Sequence, residues 1–180
     1  MRVIGGEFRS RRLQTLPGLE VRPTPDRLRE ALFNVLSPRI ANSVFLDAYA
    51  GTGAVGIEAL SRGARKAIFV ESNRRAIKVI RENLTALGLE ARAQIVHGKA
   101  HVYLESLTAD IAFIDPPYQR EREYSDALEI FGRTGPPLVI AQHISRFTLA
   151  DAYGVLQRRR ILKQGDNALS FFEPATAQSQ

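Results

Sequence analysis

Val44-Phe45-Leu46-Asp47-Ala48-Tyr49-Ala50-Gly51-Thr52-Gly53-Ala54-Val55-Gly56 carries, in that order, a short apolar run, an acid, a glycine-rich turn and the opening of an apolar periodic segment. An apolar run of this length ended by Asp47 reads as a buried strand. Gly51 and Gly53 permit the positive φ and close backbone approach that a turn around a bound molecule needs. The spacing predicts a helix over residues 53–62 with Gly63 past its end, so unpaired N–H groups face the turn. Gly51, Gly53 and Gly56 also spell G-x-G-x-x-G, a pattern that on its own discriminates poorly between ligands.

The next apolar run, residues 66–70, ends in Glu71. An acid at that place suits the two vicinal hydroxyls of a ribose, as in dinucleotide sites about 20 residues past the glycines. Beside Ser72 and Asn73 it equally suits a helix start, where the dipole favours negative charge. Glu71 therefore indicates a nucleoside without choosing the cofactor. The order Asp47-x-Tyr49-x-Gly51-x-Gly53 does choose, because it resembles the S-adenosylmethionine loop of Rossmann-like methyltransferases more than an NAD site.

Further along, Asp110-Ile111-Ala112-Phe113-Ile114 runs into Asp115-Pro116-Pro117-Tyr118. Proline has no N–H to continue a ladder, so the strand stops there and the chain turns away. The loop then offers a carboxylate, proline carbonyls with no donor beside them, and an aromatic face, which together could hold a planar base by its exocyclic amine. Asp-Pro-Pro also occurs in ordinary turns. The tetrapeptide resembles the Asp/Asn-Pro-Pro-aromatic signature of amino-group methyltransferases.

Outward from these motifs the chain alternates strand and helix with short breaks, which predicts a parallel sheet wrapped by helices. Leu28, Ala31, Leu32, Val35 and Leu36 form a helical stripe that opens at Asp26 and that Pro38 should close. Residues 43–47, 66–71, 92–97, 110–115 and 138–142 read as five strands, and 73–87, 99–107 and 123–131 as helices. Residues 155–162 and 168–172 suggest a terminal antiparallel pair, giving a seven-stranded, mostly parallel sheet with helices on both faces. Residues 174–180 read as a disordered tail.

At 180 residues and 44% hydrophobic content the chain suits one domain with a substantial core. It has no cysteine, no run long enough to cross a membrane and no apolar signal core, so a cytoplasmic location and a monomer are expected, with no metal. His97 and His101 straddle an expected strand-to-helix turn, and their spacing alone does not make a ligand pair. The net charge is +6. Arg2, Arg9, Arg11, Arg12, Arg22, Arg27 and Arg29 crowd the first 30 residues, with no lysine among them. Guanidinium forks suit phosphates and can stack on bases, so residues 1–25 read as an RNA-facing arm or hairpin. Arg27 and Arg29 could instead pair with Asp26 or Glu30. Arg158-Arg159-Arg160, in a late strand, carries less weight.

Val3-Ile4-Gly5-Gly6-Glu7-Phe8-Arg9-Ser10-Arg11-Arg12-Leu13, then Arg22-Pro23-Thr24-Pro25-Asp26-Arg27-Leu28-Arg29-Glu30-Ala31-Leu32-Phe33-Asn34, then the glycine turn, Glu71 and Asp115-Pro116-Pro117-Tyr118, resemble the RsmD family over nearly the whole chain. That resemblance implies a class I S-adenosylmethionine-dependent methyltransferase domain over residues 26–173. It implies methyl transfer to the exocyclic N2 of a guanine in 16S rRNA; a small domain that must recognise one base in a large folded RNA is further expected to act within an assembling small subunit. Asp115 and the Pro116 carbonyl would be the acceptors and Tyr118 the stacking face. Asp47, Tyr49, Gly51 and Gly53 would surround the methionine end, Glu71 and Ser72 the ribose, and backbone groups of Lys99 and Ala100 the adenine. Lys99 departs from the acid such enzymes often place there, and Gln142-His143 stands where acidic or neutral residues vary. Arg27 or Arg29 would reach the cofactor carboxylate or the RNA. A glutamine-amide or small-molecule methyltransferase, a non-catalytic RNA-binding relative and an NAD-dependent oxidoreductase are the rival readings.

Overall fold

The computed structural model describes residues 1–16, 25–117 and 120–175. The order of elements is α1 (Asp26–Ile40), β1 (Val44–Asp47), α2 (Ala54–Ser61), β2 (Lys66–Glu71), α3 (Arg74–Leu87), β3 (Ala93–His97), α4 (Ala100–Tyr103), β4 (Ile111–Ile114), α5 (Glu121–Thr134), β5 (Leu138–Ile144), β6 (Ala152–Tyr153), β7 (Leu156–Gln164) and β8 (Asn167–Pro174). They build one sheet in the order β3-β2-β1-β4-β5-β8-β7-β6, with β1 to β5 mutually parallel and β8, β7 and β6 antiparallel. The seven strands that the sequence predicts are all present, and the two-residue β6 extends the far edge.

The central strands are apolar on both sides because helices cover both. Alternation along each strand divides its residues between two layers. Phe45, Ile111, Phe113, Leu138 and Ile140 pack against Leu32, Phe33 and Leu36 of α1, while Leu46, Ile68, Ala112 and Ile114 pack against Tyr124, Leu128 and Phe131 of α5. A third cluster joins Ile57 and Leu60 of α2 to Ile80, Leu84 and Leu87 of α3. The chain winds outward through β1, β2 and β3, then returns to β4 beside β1. Strand order thus reverses between β1 and β4, and the ends of those strands open on a crevice where ligands of such sheets bind.

Three local differences from the sequence reading have physical reasons. Pro38 does not close α1, which continues to Ile40. Lying in the last turn, Pro38 forgoes one ladder bond, and continuing buries both Leu36 and Ile40. Ser43 then takes the end of the helix, its Oγ donating to the Ile40 carbonyl at 2.7 Å. The helix expected over 99–107 is broken into α4 and a tighter turn over Leu104–Ser106. Order also persists to Ala175, whose N–H donates to the Val155 carbonyl at 2.8 Å, so the start of the expected tail is held; residues 176–180 lie outside the described residues.

Residues 1–16 fold back as a small hairpin, closed by an Arg2–Arg12 bridge and by Val3 N–H to the Arg11 carbonyl at 2.9 Å. Val3 and Leu13 are buried in the α2–α3 cluster. Gly6 lies at φ 76°, and a Cβ there would meet the Ser61 carbonyl oxygen at 1.9 Å, so only glycine lets the hairpin sit this close to α2.

Candidate active site

The parallel strands deliver Asp47, Glu71, His97 and Asp115 to one edge of the sheet. Between Asp47 and α2 the turn has Gly51 at φ 54° and Gly53 at φ 82°, both in the region that favours glycine. Gly56 has a different duty. A Cβ there would lie 2.3 Å from a ring carbon of Phe69, so the third glycine of the G-x-G-x-x-G pattern brings α2 down onto β2.

Asp47 is buried and accepts the Gly56 N–H at 3.0 Å, tying the end of β1 to the first turn of α2. Glu71 bridges two loops. One oxygen accepts the Gly51 N–H at 2.8 Å and the other the Asn73 N–H at 2.7 Å, while Asn73 itself caps α3 through Arg75 and Ala76. Of the two roles that the sequence leaves open to Glu71, ribose acid and helix-start acid, the Asn73 bond matches the second; the bond to Gly51 is a third that the sequence did not suggest. Ser72 and Lys99 are exposed and Ala100 is buried at the start of α4; His97 Nε2 lies 3.2 Å from the Ser72 carbonyl. Tyr49 is half-buried against the α5 layer, where burial first and then the charge of Glu123 in the first turn of α5 raise its hydroxyl pKa. Among the described residues no group of three or more His, Cys, Asp or Glu gathers around a common point.

Asp115 is half-buried and accepts from Gln142 Nε2 at 2.9 Å. Pro116 is buried, and its carbonyl lies 3.3 Å from the Tyr124 hydroxyl, which donates to the Gln142 carbonyl at 2.9 Å. Tyr118 lies outside the described residues, as does Arg22. Of the remaining arginines in the arm reading, Arg2, Arg9, Arg11, Arg12 and Arg27 are exposed. Arg29 is the exception: it is fully buried, paired with Asp26 at 3.1 Å, and closed to both cofactor and RNA. Sequence reading offered Arg27 and Arg29 as equivalent, and helical phase separates them. The late arginines are engaged within the fold, Arg158 with Asp151 and Arg160 over the Phe171 ring.

Three carboxyls, Asp47, Glu71 and Asp115, thus meet at this edge, and the pKa values of Asp47 and Asp115 are raised. Desolvation raises the Asp47 pKa to about 7, with the Gly56 N–H opposing and the Glu71 charge reinforcing. Asp115 is pushed well above the ordinary range, first by desolvation and then by Asp47. Between pH 3.8 and about 7 the native Asp47 binds more protons than the unfolded chain, so it lowers stability as pH rises through that window and has no such effect below it. An Asp47→Asn variant, which keeps an acceptor for Gly56, should show a flatter stability profile than wild type in denaturant titrations across that range. Identical slopes would remove Asp47 as the source.

A parallel sheet ending in an antiparallel hairpin, with a glycine turn after β1 and an acid-Pro-Pro loop after β4, defines the Rossmann-like class I methyltransferase fold. The chain belongs to the RsmD family: the family model described as "Conserved hypothetical protein 95" matches residues 1–173. "Ribosomal RNA small subunit methyltransferase D" of Escherichia coli K12 is 40% identical over 122 residues, which cover 67% of this chain and 61% of that protein. A Bacillus subtilis protein, YlbH, named as a candidate rRNA methyltransferase, is 32% identical over 89% of this chain and 91% of its own length. A solved Escherichia coli structure, yhhF, described as a candidate methyltransferase, superposes with a TM-score of 0.85 at 32% identity over 97% of each chain.

Three residues that matter in this geometry, Glu58, Asn83 and Tyr124, are given no part by the sequence reading, and Gln142 is noted there as a departure without a role. Glu58 had a usable signal, being the single acid in the otherwise apolar Ala54–Ser61 helix. Asn83 joins the hairpin to the glycine turn, accepting from Gln14 N–H at 2.7 Å and donating to the Thr52 carbonyl at 3.2 Å. Nothing local marks it out.

Proposed function

We propose that this protein transfers the methyl group of S-adenosylmethionine to the exocyclic N2 of a guanine in 16S rRNA, as a cytoplasmic monomer acting on an assembling small subunit. The observation that carries the reading is the pair of acceptors at the end of β4, the Asp115 carboxyl and the Pro116 carbonyl, set beside the glycine turn at the point where strand order reverses. Names of the relatives support RNA of the small subunit as substrate. The exposed arginines of the hairpin support a polyanion.

The residues present fit such a cofactor. Gly51 and Gly53 hold a positive-φ turn at the end of β1, Glu71 stands where ribose hydroxyls would be held, and the buried acid Asp47 suits a cationic ligand. Tyr49 would flank the methionine end, Ser72 the ribose, and the backbone of Lys99 and Ala100 the adenine. When bound, the cofactor supplies an electrophilic methyl group and a positive charge that favours the ionised form of nearby carboxyls.

A guanine amino nitrogen is a weak nucleophile because its lone pair is delocalised into the ring. Asp115 and Pro116 would accept its two N–H groups, redirecting that lone pair and holding the nitrogen in line with the methyl group. Neither Pro116 nor Pro117 has an N–H, so no backbone donor of this pair competes for the site. The base leaves its stack to enter such a pocket, and Tyr118 would offer the replacement stacking face. In this division residues 1–25 face RNA, with Arg2, Arg9, Arg11, Arg12, Arg22 and Arg27 on phosphates, and 26–173 carry the transfer. A glutamine-amide or small-molecule substrate would use the same acceptors and leave the arginine arm without a purpose.

The test is transfer of labelled methyl from S-adenosylmethionine to small ribosomal subunits from a strain lacking this gene, followed by mass spectrometry of the nucleosides. N2-methylguanosine in 16S rRNA is the expected product. Cofactor binding without any transfer to RNA would overturn the substrate and move it to protein or small molecule.

A further inference from the structure

Register places Gln142 beside the reactive loop. Ile114 of β4 pairs with Ala141 of β5, so the next residues, Asp115 and Gln142, are cross-strand neighbours at the ends of their strands. Gln142 is 1% exposed, and its Nε2 donates to Asp115 Oδ2 at 2.9 Å. Its backbone carbonyl accepts from Tyr124, the hydroxyl that also lies 3.3 Å from the Pro116 carbonyl. One buried residue is thereby linked to both proposed acceptors.

We infer that Gln142 is a positioning residue that fixes Asp115 as an acceptor on both of its oxygens, so that this chain requires Asp and not Asn in its reactive tetrapeptide. The inference rests on the reading of Asp115 as acceptor of the substrate amine. A carboxylate presents only acceptors, one for the Gln142 amide and one for the substrate N–H. An Asn side chain has one acceptor and one donor. While Gln142 keeps its Nε2 toward residue 115 and the substrate amine donates from the other side, either orientation of Asn sets its NH2 against a donor, leaving an unmade hydrogen bond in a desolvated place; a Gln142 amide that turned over would relieve it and make Asp115→Asn fast.

Substitution at Gln142 reverses that logic. In Gln142→Glu two carboxyls meet, and a single shared proton restores a donor toward Asp115 only at low pH. Among the described residues the other titratable groups about Asp115 are Asp47 from β1 and the Tyr124 hydroxyl from α5; across the crevice Tyr49 faces the charge of Glu123, and His143 on β5 is turned to Ser170 Oγ at 2.9 Å. Wild-type transfer should rise with pH as Asp115 ionises. Gln142→Glu transfer should fall with pH as the shared proton is lost, an inversion that a purely structural role would not produce.

The experiment is single-turnover transfer to undermethylated small subunits across pH 5 to 9, on the full chain, with S-adenosylhomocysteine affinity measured for each variant. At neutral pH Asp115→Asn, Gln142→Glu and Gln142→Met should each be slower by about 10- to 100-fold with KM for subunits little changed. The double variant Asp115→Asn/Gln142→Glu should recover most of the rate, because the Asn NH2 now donates to the new carboxylate and its carbonyl oxygen faces the substrate. Wild-type rates and profiles in the Gln142 variants, or an Asp115→Asn variant as fast as wild type, would overturn the role of Gln142. A double variant as slow as the singles, with cofactor affinity intact, would overturn it too. An Asp115→Ala variant that transfers normally would instead remove the reading of Asp115 beneath it.

Discussion

Replacing Asp115 with alanine is expected to slow methyl transfer by about 10³-fold or more while cofactor affinity stays within about 3-fold of wild type. The asymmetry follows from where Asp115 sits. It ends β4 in the half-buried mouth of the crevice, whereas the glycine turn, Asp47 and Glu71 that fit the cofactor belong to β1 and β2 and are bonded to one another: Glu71 to Gly51 at 2.8 Å and Asp47 to Gly56 at 3.0 Å. None of those bonds passes through Asp115. Removing its carboxyl strips the amine of its charged acceptor and leaves the Pro116 carbonyl as the remaining one, and it also takes away the oxygen that Gln142 Nε2 bonds at 2.9 Å. The loss should therefore appear in the rate at saturating cofactor and subunit. Calorimetry with S-adenosylhomocysteine separates the two effects. A variant with near-normal turnover would sink Asp115 as the acceptor, and one that loses cofactor affinity in parallel with rate would place it among the cofactor's own contacts.

What was legible in the chain was what local physics writes at high contrast. Strands buried on both faces read as unbroken apolar runs, so Ile111–Ile114 and Lys66–Glu71 stand out, and Gly51 and Gly53 announce a positive-φ turn that the structure contains. Acids at strand ends were visible for the same reason, which is why Asp47, Glu71 and Asp115 could be named and found on one edge of the sheet. Partners were not visible. Gln142 lies 27 residues from Asp115, and Asn83 lies 31 from Thr52; such pairs are fixed by strand order and register, which follow from packing of the whole sheet. Arg27 and Arg29 show the intermediate case. Both belong to one charged stretch, and only the phase of α1 against the buried Leu28, Leu32 and Leu36 sends Arg29 inward and Arg27 out.

Arg29 leads to the largest expected stability effect, because its charge is buried with a single buried acid. Glu58 in α2 is fully buried, as is Arg29, and lies 4.0 Å from its Nε. The same carboxylate accepts Ile4 N–H and Gly5 N–H, each at 2.8 Å, and Arg62 Nε at 2.7 Å. Arg29 in turn donates through Nη2 to the Arg2 carbonyl at 2.6 Å, although its Nε and Nη1 find no hydrogen-bond acceptor. Desolvation lowers the Arg29 pKa even with Glu58 and Asp26 opposing. The hairpin that carries the exposed arginines is thus fastened to α2 by a carboxylate that also answers a buried cation. Glu58→Ala leaves that cation facing only the partly exposed Asp26 and leaves two hairpin N–H groups unpaired, so a loss of about 3–5 kcal/mol is expected in denaturant unfolding. Adding Arg29→Met removes the stranded charge, and the double variant should be less destabilised than the sum of the two single changes. Weaker fastening should also free the hairpin, raising the KM for subunits and exposing residues 1–16 to proteolysis while the sheet persists. A Glu58→Ala protein within about 1 kcal/mol of wild type, with additive double-variant energies, would show that α2 and the hairpin hold together by Val3, Leu13 and their apolar neighbours alone.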